Sequence, residues 1–353
     1  MINFNGVIQD SDLQLTVSNR SFLYGDGVFE TLKIVNNKIL FFEDHYFRLM
    51  ASMRIVRMEI PMTFTMEYLE EQISKLVEVL AIKDAARVRF TVFRNEGGFY
   101  LPNDNSISFV IQASKLENIR YKIPKIQFEV DLYKDFIFPS QLLSTLKTAN
   151  KITHVTASIF AKENQLDSSL LINETKNVIE AANGNLFMLM GNKLITPPIS
   201  EGCLNGIMRK QIISLAKQID SVEVIEAAIS PFDLQKADEL FITNVIVGIQ
   251  PITKYRKKEF EVSKEYALKV VDRIKIWMGK DNYKQTRGIR FTVTNKPGTW
   301  VPTPPAYADA CEPQWNTIRP FTLDTVTQFI PPRPPAYGTD KNNEFWRETR
   351  EVY

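Results

Sequence analysis

Alternating apolar and polar residues predict several strands in the first third of the chain. Residues 27–35 and 86–93 alternate most clearly, which is typical of strands with two different faces. Residues 36–38 have turn chemistry, so we predict a hairpin that joins the first of these strands to residues 39–42. The two faces of the second strand carry different side chains, namely Arg87, Arg89 and Thr91 on one and Val88, Phe90 and Val92 on the other.

Apolar residues recur at helical spacing elsewhere in the chain. The predicted helices cover residues 43–58, 65–81, 152–163, 207–218 and 259–278, with a short one over 232–237. The spaced apolar residues of the first helix are Phe47, Met50, Met53 and Ile55, and the core candidates of the third are Val155, Ile159 and Phe160. The remaining predicted strands cover 126–132, 168–172, 178–180, 185–190, 194–196 and 222–228, and residues 239–252 form a buried strand that breaks into a turn.

The length and the mixture of elements predict an α+β protein with two domains. A chain of 353 residues is long enough for two cores. A polar stretch that ends at Pro124 is the predicted linker, residues 116–124. We therefore predict a small N-terminal domain over 1–115 and a larger one over 125–282, followed by an appendage over 283–353.

Composition excludes several classes of function. A net charge of +2 gives no reason to expect a nucleic-acid partner. The two cysteines, Cys203 and Cys311, indicate neither a disulfide framework nor a metal site, and we expect Cys203 to be a small packed residue. No apolar run is long enough to span a bilayer, and the N-terminus has no targeting pattern, so the sequence predicts a protein of the reducing cytoplasm.

Two stretches carry the candidate chemistry. Lys147 lies among small and polar residues, and Glu180 follows 33 positions later, before further small residues and an apolar run. In isolation such a lysine is typical of a solvated surface and such a glutamate of a helix or turn cap. Together they resemble the fold-type IV pyridoxal-phosphate enzymes, which include D-amino-acid and branched-chain transaminases and aminodeoxychorismate lyase. The resemblance covers roughly residues 1–280.

The resemblance implies a two-domain class IV aminotransferase-like fold, pyridoxal 5'-phosphate as cofactor and a homodimer. It implies that Lys147 forms the Schiff base with the cofactor and that Glu180 pairs with its pyridine nitrogen. A lysine must be neutral for that bond, and desolvation or nearby cations lower its pKa. Further residues match the family's motifs: Arg48, Gly206, Ile207, Met208, Thr243 and Asn244 for the cofactor, mainly its phosphate, and Phe29, Arg89 and Asn150 for the substrate. His45, beside Arg48, is expected to be structural.

The sequence leaves the reaction open between alternatives. Transamination between an amino acid and a 2-oxo acid is the broader activity and our prediction. Asn150, three residues after Lys147, is typical of the D-amino-acid and lyase branches, and residues 205–209 resemble the lyases slightly more. The alternative is therefore an aminodeoxychorismate lyase, which makes p-aminobenzoate and pyruvate. A non-catalytic binding protein is disfavoured because both Lys147 and Glu180 are present.

The tail has a different composition. Ten of the 18 prolines lie at or after Pro297, and all four tryptophans lie at or after Trp277. Residues 297–307 and 331–335 are too rich in proline for a regular helix or a central strand. Residues 300–353 resemble the segment that precedes the catalytic core of bacterial phosphatases related to vanadium haloperoxidases. The arginine and histidine motifs of that core do not follow, so we predict a fused or misjoined appendage without catalytic function.

Overall fold

The computed structural model of this protein describes residues 1–11, 13–124 and 126–260, and the backbone of three short strands further on. The chain divides into two compact units, Met1–Asp281 and Asn282–Tyr353. Within the described residues, none of the helices is long and apolar enough to cross a membrane.

The first part of the larger unit is a six-stranded antiparallel sheet with three helices. The order across the sheet is β2-β1-β6-β5-β3-β4. Its strands are β1 (Ile2–Phe4), β2 (Val7–Gln9), β3 (Gly27–Val35), β4 (Lys38–Ile39), β5 (Ala85–Arg94) and β6 (Ile107–Lys115). Its helices are α1 (Arg20–Tyr24), α2 (Phe42–Ile55) and α3 (Met66–Val79).

One face of this sheet packs against helices and the other carries polar residues, as the alternation in β5 predicts. Leu49 and Met53 of α2 and Leu76 of α3 share one apolar core with Leu32 of β3 and Phe90 of β5. On the other face, β3 and β5 are in a register that pairs Phe29 with Thr91, Thr31 with Arg89 and Lys33 with Arg87. Cross-strand partners project to the same side of a sheet, so this face is the polar one.

The second part is a larger mixed sheet with two helices. The order is β12-β11-β10-β9-β8-β7-β15-β16, and β13 pairs with both β10 and β14. The strands are β7 (Glu129–Leu132), β8 (Ser168–Ile172), β9 (Val178–Ala181), β10 (Gly184–Met190), β11 (Lys193–Thr196), β12 (Glu223–Glu226), β13 (Glu239–Asn244), β14 (Gly248–Ile252), β15 (Lys254–Tyr255) and β16 (Lys258–Glu259). The helices are α4 (Ile152–Glu163) and α5 (Ile207–Ala216), and short 3₁₀ turns lie at Leu142–Thr145 and Ile199–Glu201.

Backbone and side-chain bonds join the two sheets. The Phe29 N–H donates to the Lys147 carbonyl at 2.9 Å, and the Ala149 N–H donates to the Gly27 carbonyl at 2.7 Å. Lys33 Nζ of β3 donates to the Ile246 carbonyl at 3.2 Å, in the turn between β13 and β14. The segment that carries Lys147 is therefore fixed to the first sheet by its main chain.

The mixed helix and sheet content confirms the α+β prediction, and several local expectations are wrong. Residues 39–42 are not a strand throughout, because Phe41 has a left-handed backbone (φ 55°) and Phe42 begins α2. Residues 232–237 form turns instead of a helix, since Asp233 accepts from the Ser230 N–H and so few residues nucleate a helix poorly. Of the helix predicted over 259–278, the structure describes Glu259, which ends β16, and Phe260, which is in neither a helix nor a strand; the other residues lie outside the described part.

The buried face of α4 also differs from the expectation. Ala157 and Ala161 are buried against β8, whereas Val155 and Ile159 are half-exposed. Phe160 does pack against the core, with its ring centre 5.5 Å from that of Tyr133. Ser169 Oγ of β8 donates to the Ala157 carbonyl at 2.9 Å, and so close an approach of helix to strand admits only small side chains. In α2 likewise, Met53 is buried while Phe47 and Ile55 are exposed.

The described backbone of the second unit is a small antiparallel sheet in the order β17-β18-β19. Its strands are β17 (Arg290–Val293), β18 (Thr299–Thr303) and β19 (Phe321–Thr322). Of residues 297–307 the structure describes 299–303, and the expectation that they avoid a central strand is wrong, because β18 lies between β17 and β19. Pro302 lies opposite Phe291 of β17, while β19 pairs with Thr299 and Trp300, so within the described backbone this proline has a strand neighbour on one side. Residues 331–335 lie outside the described residues.

Candidate active site

A cavity of about 430 Å³ lies where the polar face of the first sheet meets the Lys147 segment and the second sheet. All but one of the residues that the sequence singled out line it: Phe29, Arg48, Arg89, Lys147, Glu180, Gly206, Ile207, Met208, Thr243 and Asn244. These residues come from β3, α2, β5, β9, α5 and β13, so the fold assembles the site from distant parts of the chain.

Lys147 is a half-buried amine in the middle of this cavity. Its Nζ lies 4.6 Å from the centre of the Phe29 ring. The pKa of Lys147 is lowered to about 8, mainly by burial. The charges of Arg48 and Lys151 contribute to this lowering, and Glu30 and Glu180 oppose it. A lysine with this pKa is neutral in about a tenth of the molecules at pH 7. Lys147 is therefore available as a nucleophile near neutral pH.

Glu180 is buried on β9, just before the bend at residues 182–183 that leads into β10. Its Oε2 accepts a hydrogen bond from the Leu204 N–H at 2.9 Å, and its Oε1 lies 3.4 Å from Nε2 of His154. The carboxylate is thus oriented from two sides while it still lines the cavity. It is placed to accept a hydrogen bond from a flat, nitrogen-containing ring.

Arg48 faces the cavity from α2 and is fixed by a buried glutamate. Its Nε and Nη2 donate to the two carboxylate oxygens of Glu30 at 2.7 and 2.6 Å, and Nη1 donates to the Asn205 carbonyl at 2.7 Å. Nδ1 of His45 lies 2.7 Å from Glu30 Oε2. Burial would raise the pKa of Glu30, but the charges and hydrogen bonds of Arg48 and His45 lower it to about 2.

The sequence analysis did not identify Glu30 as the partner of Arg48 and His45, although its position in the sequence indicates one. Glu30 is a charged residue on the core-facing side of β3, between the buried Val28 and Leu32. A buried carboxylate requires a partner. His45 has the structural role expected of it: burial lowers its pKa, opposed by Glu30, so the ring is neutral at neutral pH.

The start of α5 and the end of β13 form the second wall. Gly206 is the N-cap of α5 and provides no capping side chain, so the first N–H groups of the helix have no side-chain acceptor. A Cβ at Gly206 would lie 1.9 Å from Asn185 Oδ1, which explains the glycine. Thr243 Oγ1 is buried without a hydrogen-bond partner among the described residues. These free donors and the helix dipole suit an anion.

Asn244 contributes to this wall in a different way. Its side-chain oxygen accepts from the N–H groups of Ile246 and Val247, each at 3.0 Å, and its Nδ2 donates to the Asn183 carbonyl at 3.0 Å. The amide is therefore occupied in shaping the turn between β13 and β14, which lines the cavity.

Phe29 and Arg89 form the wall that belongs to the first sheet. The Arg89 guanidinium carbon lies 3.7 Å from the centre of the Phe29 ring, and its Nε donates to Thr91 Oγ1 at 3.2 Å. Burial lowers the pKa of Arg89, and the charge of Arg87, which also lines the cavity, lowers it further. Two adjacent cations on this wall favour a substrate with a carboxylate.

The structure does not bring Asn150 into this cavity. Its Cβ lies 3.0 Å from where a Cβ on Gly25 would be, and it lines a separate cavity beside Arg20 and Arg94. The direct contact with substrate expected of Asn150 therefore has no support in the geometry. Conversely, Lys151 and His154 line the main cavity and were missed, because neither matches a motif and their positions depend on how α4 packs.

Comparisons with known proteins identify the family of this chain. The family model described as "Amino-transferase class IV" matches residues 27–255. A putative branched-chain-amino-acid aminotransferase of Methanocaldococcus jannaschii is 27% identical over 77% of this chain and 99% of its own. A D-alanine aminotransferase of Listeria monocytogenes is also 27% identical, over 70% of this chain and 85% of its own.

A solved structure shares the fold. It is a putative 4-amino-4-deoxychorismate lyase of Legionella pneumophila, with a TM-score of 0.68, 22% identity, and coverage of 75% of this chain and 96% of that one. The family match ends at residue 255, so the resemblance of residues 300–353 to phosphatases stays a prediction. Because the family model covers more than half of the sequence, this chain belongs to the class IV aminotransferases, which are enzymes that use pyridoxal phosphate.

Proposed function

We propose that this enzyme transfers an amino group between an amino acid and a 2-oxo acid, with Lys147 as its catalytic amine. The observation that carries the proposal is the position of Lys147, a lysine with a pKa of about 8, in one cavity with Glu180 and the start of α5. When bound, pyridoxal phosphate supplies an aldehyde for covalent attachment and a ring that accepts electrons from the neighbouring carbon.

The residues of the cavity fit this cofactor. Gly206 places no capping side chain at the start of α5, so the Ile207 and Met208 N–H groups are available to a phosphate, and the Thr243 hydroxyl, unpartnered among the described residues, completes such a site. Arg48 adds a fixed positive charge. Glu180 would accept a hydrogen bond from the protonated ring nitrogen, and Lys147 would hold the cofactor and carry a proton to and from the substrate carbon.

The substrate side of the proposal is the wall of the first sheet. Phe29 provides an apolar surface, and Arg89 above it provides a guanidinium for the substrate carboxylate. Arg87 adds positive charge beside it. We expect Arg89 to bind the acid and Phe29 to contact the side chain of the substrate.

Product analysis tests the reaction. The full-length enzyme with pyridoxal phosphate is incubated with D-alanine, L-isoleucine or L-glutamate and an unlike 2-oxo acid, and both products are quantified by chromatography. Formation of the new amino acid and the new 2-oxo acid in equal amounts supports transamination and gives the stereochemistry. Without turnover of any amino acid, release of p-aminobenzoate and pyruvate from aminodeoxychorismate establishes the lyase instead, the candidate favoured by residues 205–209.

Replacing Thr243 by valine separates cofactor binding from folding. Without cofactor the variant is expected to gain roughly 1 kcal/mol of unfolding free energy, because an unpartnered buried hydroxyl is removed. With cofactor its affinity for pyridoxal phosphate falls about tenfold, the value of one hydrogen bond to a charged group. Denaturant titration and a cofactor-binding titration measure the two effects.

Thr196→Val is the matched control, since its buried Oγ1 already donates to the Leu186 carbonyl at 2.7 Å. It is expected to lose stability by about 1 kcal/mol and to keep its affinity for the cofactor. A Thr243→Val variant that behaves like this control contradicts the proposed phosphate site.

The proposed enzyme is a homodimer. An apolar stripe on α4, formed by Ile152, Val155 and Ile159, is at least half exposed in the single chain, and such surfaces favour association. We expect sedimentation velocity to give a dimer, and Val155→Lys to weaken it at least tenfold, whereas Phe232→Lys, an exposed residue outside α4, leaves it intact. A monomeric wild type contradicts the dimer, and an unaffected variant contradicts this interface. A cytoplasmic location is also part of the proposal.

A further inference from the structure

A second lysine lies in the cavity, and none of the roles described above uses it. Lys151 is four residues after Lys147 and immediately precedes α4, where it occupies the N-cap position without capping the helix through its side chain. It is half-buried, and it lines the same cavity as Lys147, Glu180 and His154. A buried lysine is costly for a fold unless its charge has a partner or a task.

The charges around Lys151 define its surroundings. Glu180 of β9 is the only carboxylate among the described residues that line the cavity, which also contains the cationic side chains of Arg48, Arg87, Arg89 and Lys147. Glu180 has its Oε2 occupied by the Leu204 N–H, and its Oε1 is 3.4 Å from His154 in the first turn of α4. Glu180 is therefore the carboxylate that shares the cavity with Lys151.

We propose that Lys151 is a positioning residue of the reaction: protonated in the same cavity as Glu180, it keeps Lys147 in its neutral, reactive form. This inference rests on the proposed function of Lys147. It assigns the site two amines with opposite tasks, one that stays charged and one that gives up its proton.

The electrostatics support this division. Burial lowers the pKa of Lys151, and Glu180 opposes that shift and so favours the charged form, while Arg48 acts against it. At Lys147, burial, Arg48 and Lys151 all act to remove the proton, and Glu30 and Glu180 act to retain it. Loss of the Lys151 charge removes its repulsion of a proton on Lys147 and leaves the attraction of Glu180 undiminished. Both changes favour the protonated form and so raise the pKa of Lys147.

The test follows the reactivity of Lys147 directly. The full-length chain, freed of cofactor, is mixed with pyridoxal phosphate between pH 6 and pH 10. The covalent product is trapped after a short time with borohydride, and the modified peptide is quantified by mass spectrometry. Wild type is compared with Lys151→Met, which keeps the length of the side chain, and Lys151→Arg, which keeps its charge. Circular dichroism verifies folding, and Lys151→Gln replaces the methionine variant if that variant does not fold.

We expect the pH midpoint of Lys147 modification to rise by about half a unit to one unit in Lys151→Met, as for the loss of a nearby like charge. At pH 7 the initial extent of modification then falls about threefold to tenfold. Lys151→Arg keeps the wild-type midpoint, which a merely structural role of the side chain does not predict.

Three results overturn the inference. The profile of Lys151→Met coincides with that of wild type, or Lys151→Arg shifts as much as Lys151→Met, or the trapped adduct lies on Lys151 itself. Failure of the proposed function is a different result, because wild type then shows no adduct on Lys147 at any pH, and the inference fails with it.

Discussion

Replacement of Lys147 by alanine is expected to lower the rate of amino-group transfer by about four orders of magnitude. The variant loses the covalent attachment point and the proton carrier together, and positioned proton transfer alone contributes up to about 10⁴-fold. The remaining walls of the cavity stay in place, because main-chain hydrogen bonds from Phe29 to Lys147 and from Ala149 to Gly27 hold this segment. Initial rates with the amino acid identified by product analysis measure the loss.

Lys193→Ala is the matched control for this variant. Lys193 is an exposed lysine on β11 that does not line the cavity, so its replacement should leave the rate unchanged. Retention of more than about a hundredth of the wild-type rate in Lys147→Ala would falsify the assignment of Lys147 as the catalytic amine, since general acid–base catalysis is worth at least 10²-fold.

The same variant has a predicted pH signature in its stability. The pKa of Lys147 is lowered from 10.5 to about 8 in the folded chain, so this lysine decreases the free energy of unfolding at any pH where the unfolded chain still holds the proton. The decrease is complete below pH 8 and disappears above about pH 10.5. Without cofactor, Lys147→Ala is therefore expected to be more stable than wild type at pH 7 and equal to it at pH 10.5. Denaturant titrations at the two pH values measure the difference.

Glu30→Gln is expected to have the largest effect on stability, a loss of about 3 kcal/mol at pH 7. Glu30 is 2% exposed and receives two charge-assisted hydrogen bonds from Arg48 and one contact from His45. Glutamine leaves the Arg48 charge buried without its counter-ion, and truncating one partner of such a pair is costly. Because Arg48 also loses its fixed orientation toward the cavity, affinity for pyridoxal phosphate should fall at least tenfold.

The pH dependence of this loss distinguishes a charge from a packing defect. The pKa of Glu30 is lowered to about 2 from 4.5, so the ionised carboxylate stabilises the fold fully above pH 4.5 and loses this contribution as the pH falls toward 2. The difference between wild type and Glu30→Gln is expected to be constant from pH 7 to pH 5 and to shrink below pH 4.5. A difference that stays constant down to pH 3 contradicts the charge explanation. Glu70→Gln, at an exposed position of α3, serves as control.

Much of this architecture is encoded locally and was predictable. The alternation in β5 placed Arg87 and Arg89 on one face and Val88 on the other, and α4 begins at Ile152 and ends at Glu163 as predicted. The turn of Asn36 and Asn37 joins β3 and β4, and both asparagines have the positive φ that such a turn needs. Local periodicity and turn chemistry determine these features, so a single sequence contains them.

The failures have a common physical cause, which is packing between distant segments. Val155 and Ile159 of α4 were expected in the core, but contact with Ser169 of β8 selected Ala157 and Ala161. The roles of Glu30 and Lys151 depend on charged side chains of α2 and β9, which come near them only in the folded chain. Asn150 matches a motif yet lies against Gly25, outside the cavity. Motifs identify residue types, whereas burial and partners follow from tertiary structure.

The main-chain bonds between β3 and the Lys147 segment have a consequence for biogenesis. Lys147 follows the last strand of the first sheet, Ile107–Lys115, whereas its main-chain partner Phe29 lies in β3, and contacts across so long a separation form slowly. Until these bonds form, Lys147 lacks the burial that lowers its pKa, so it is mostly protonated and reacts poorly with an aldehyde. We therefore expect Lys147 to capture the cofactor only after the two sheets have assembled.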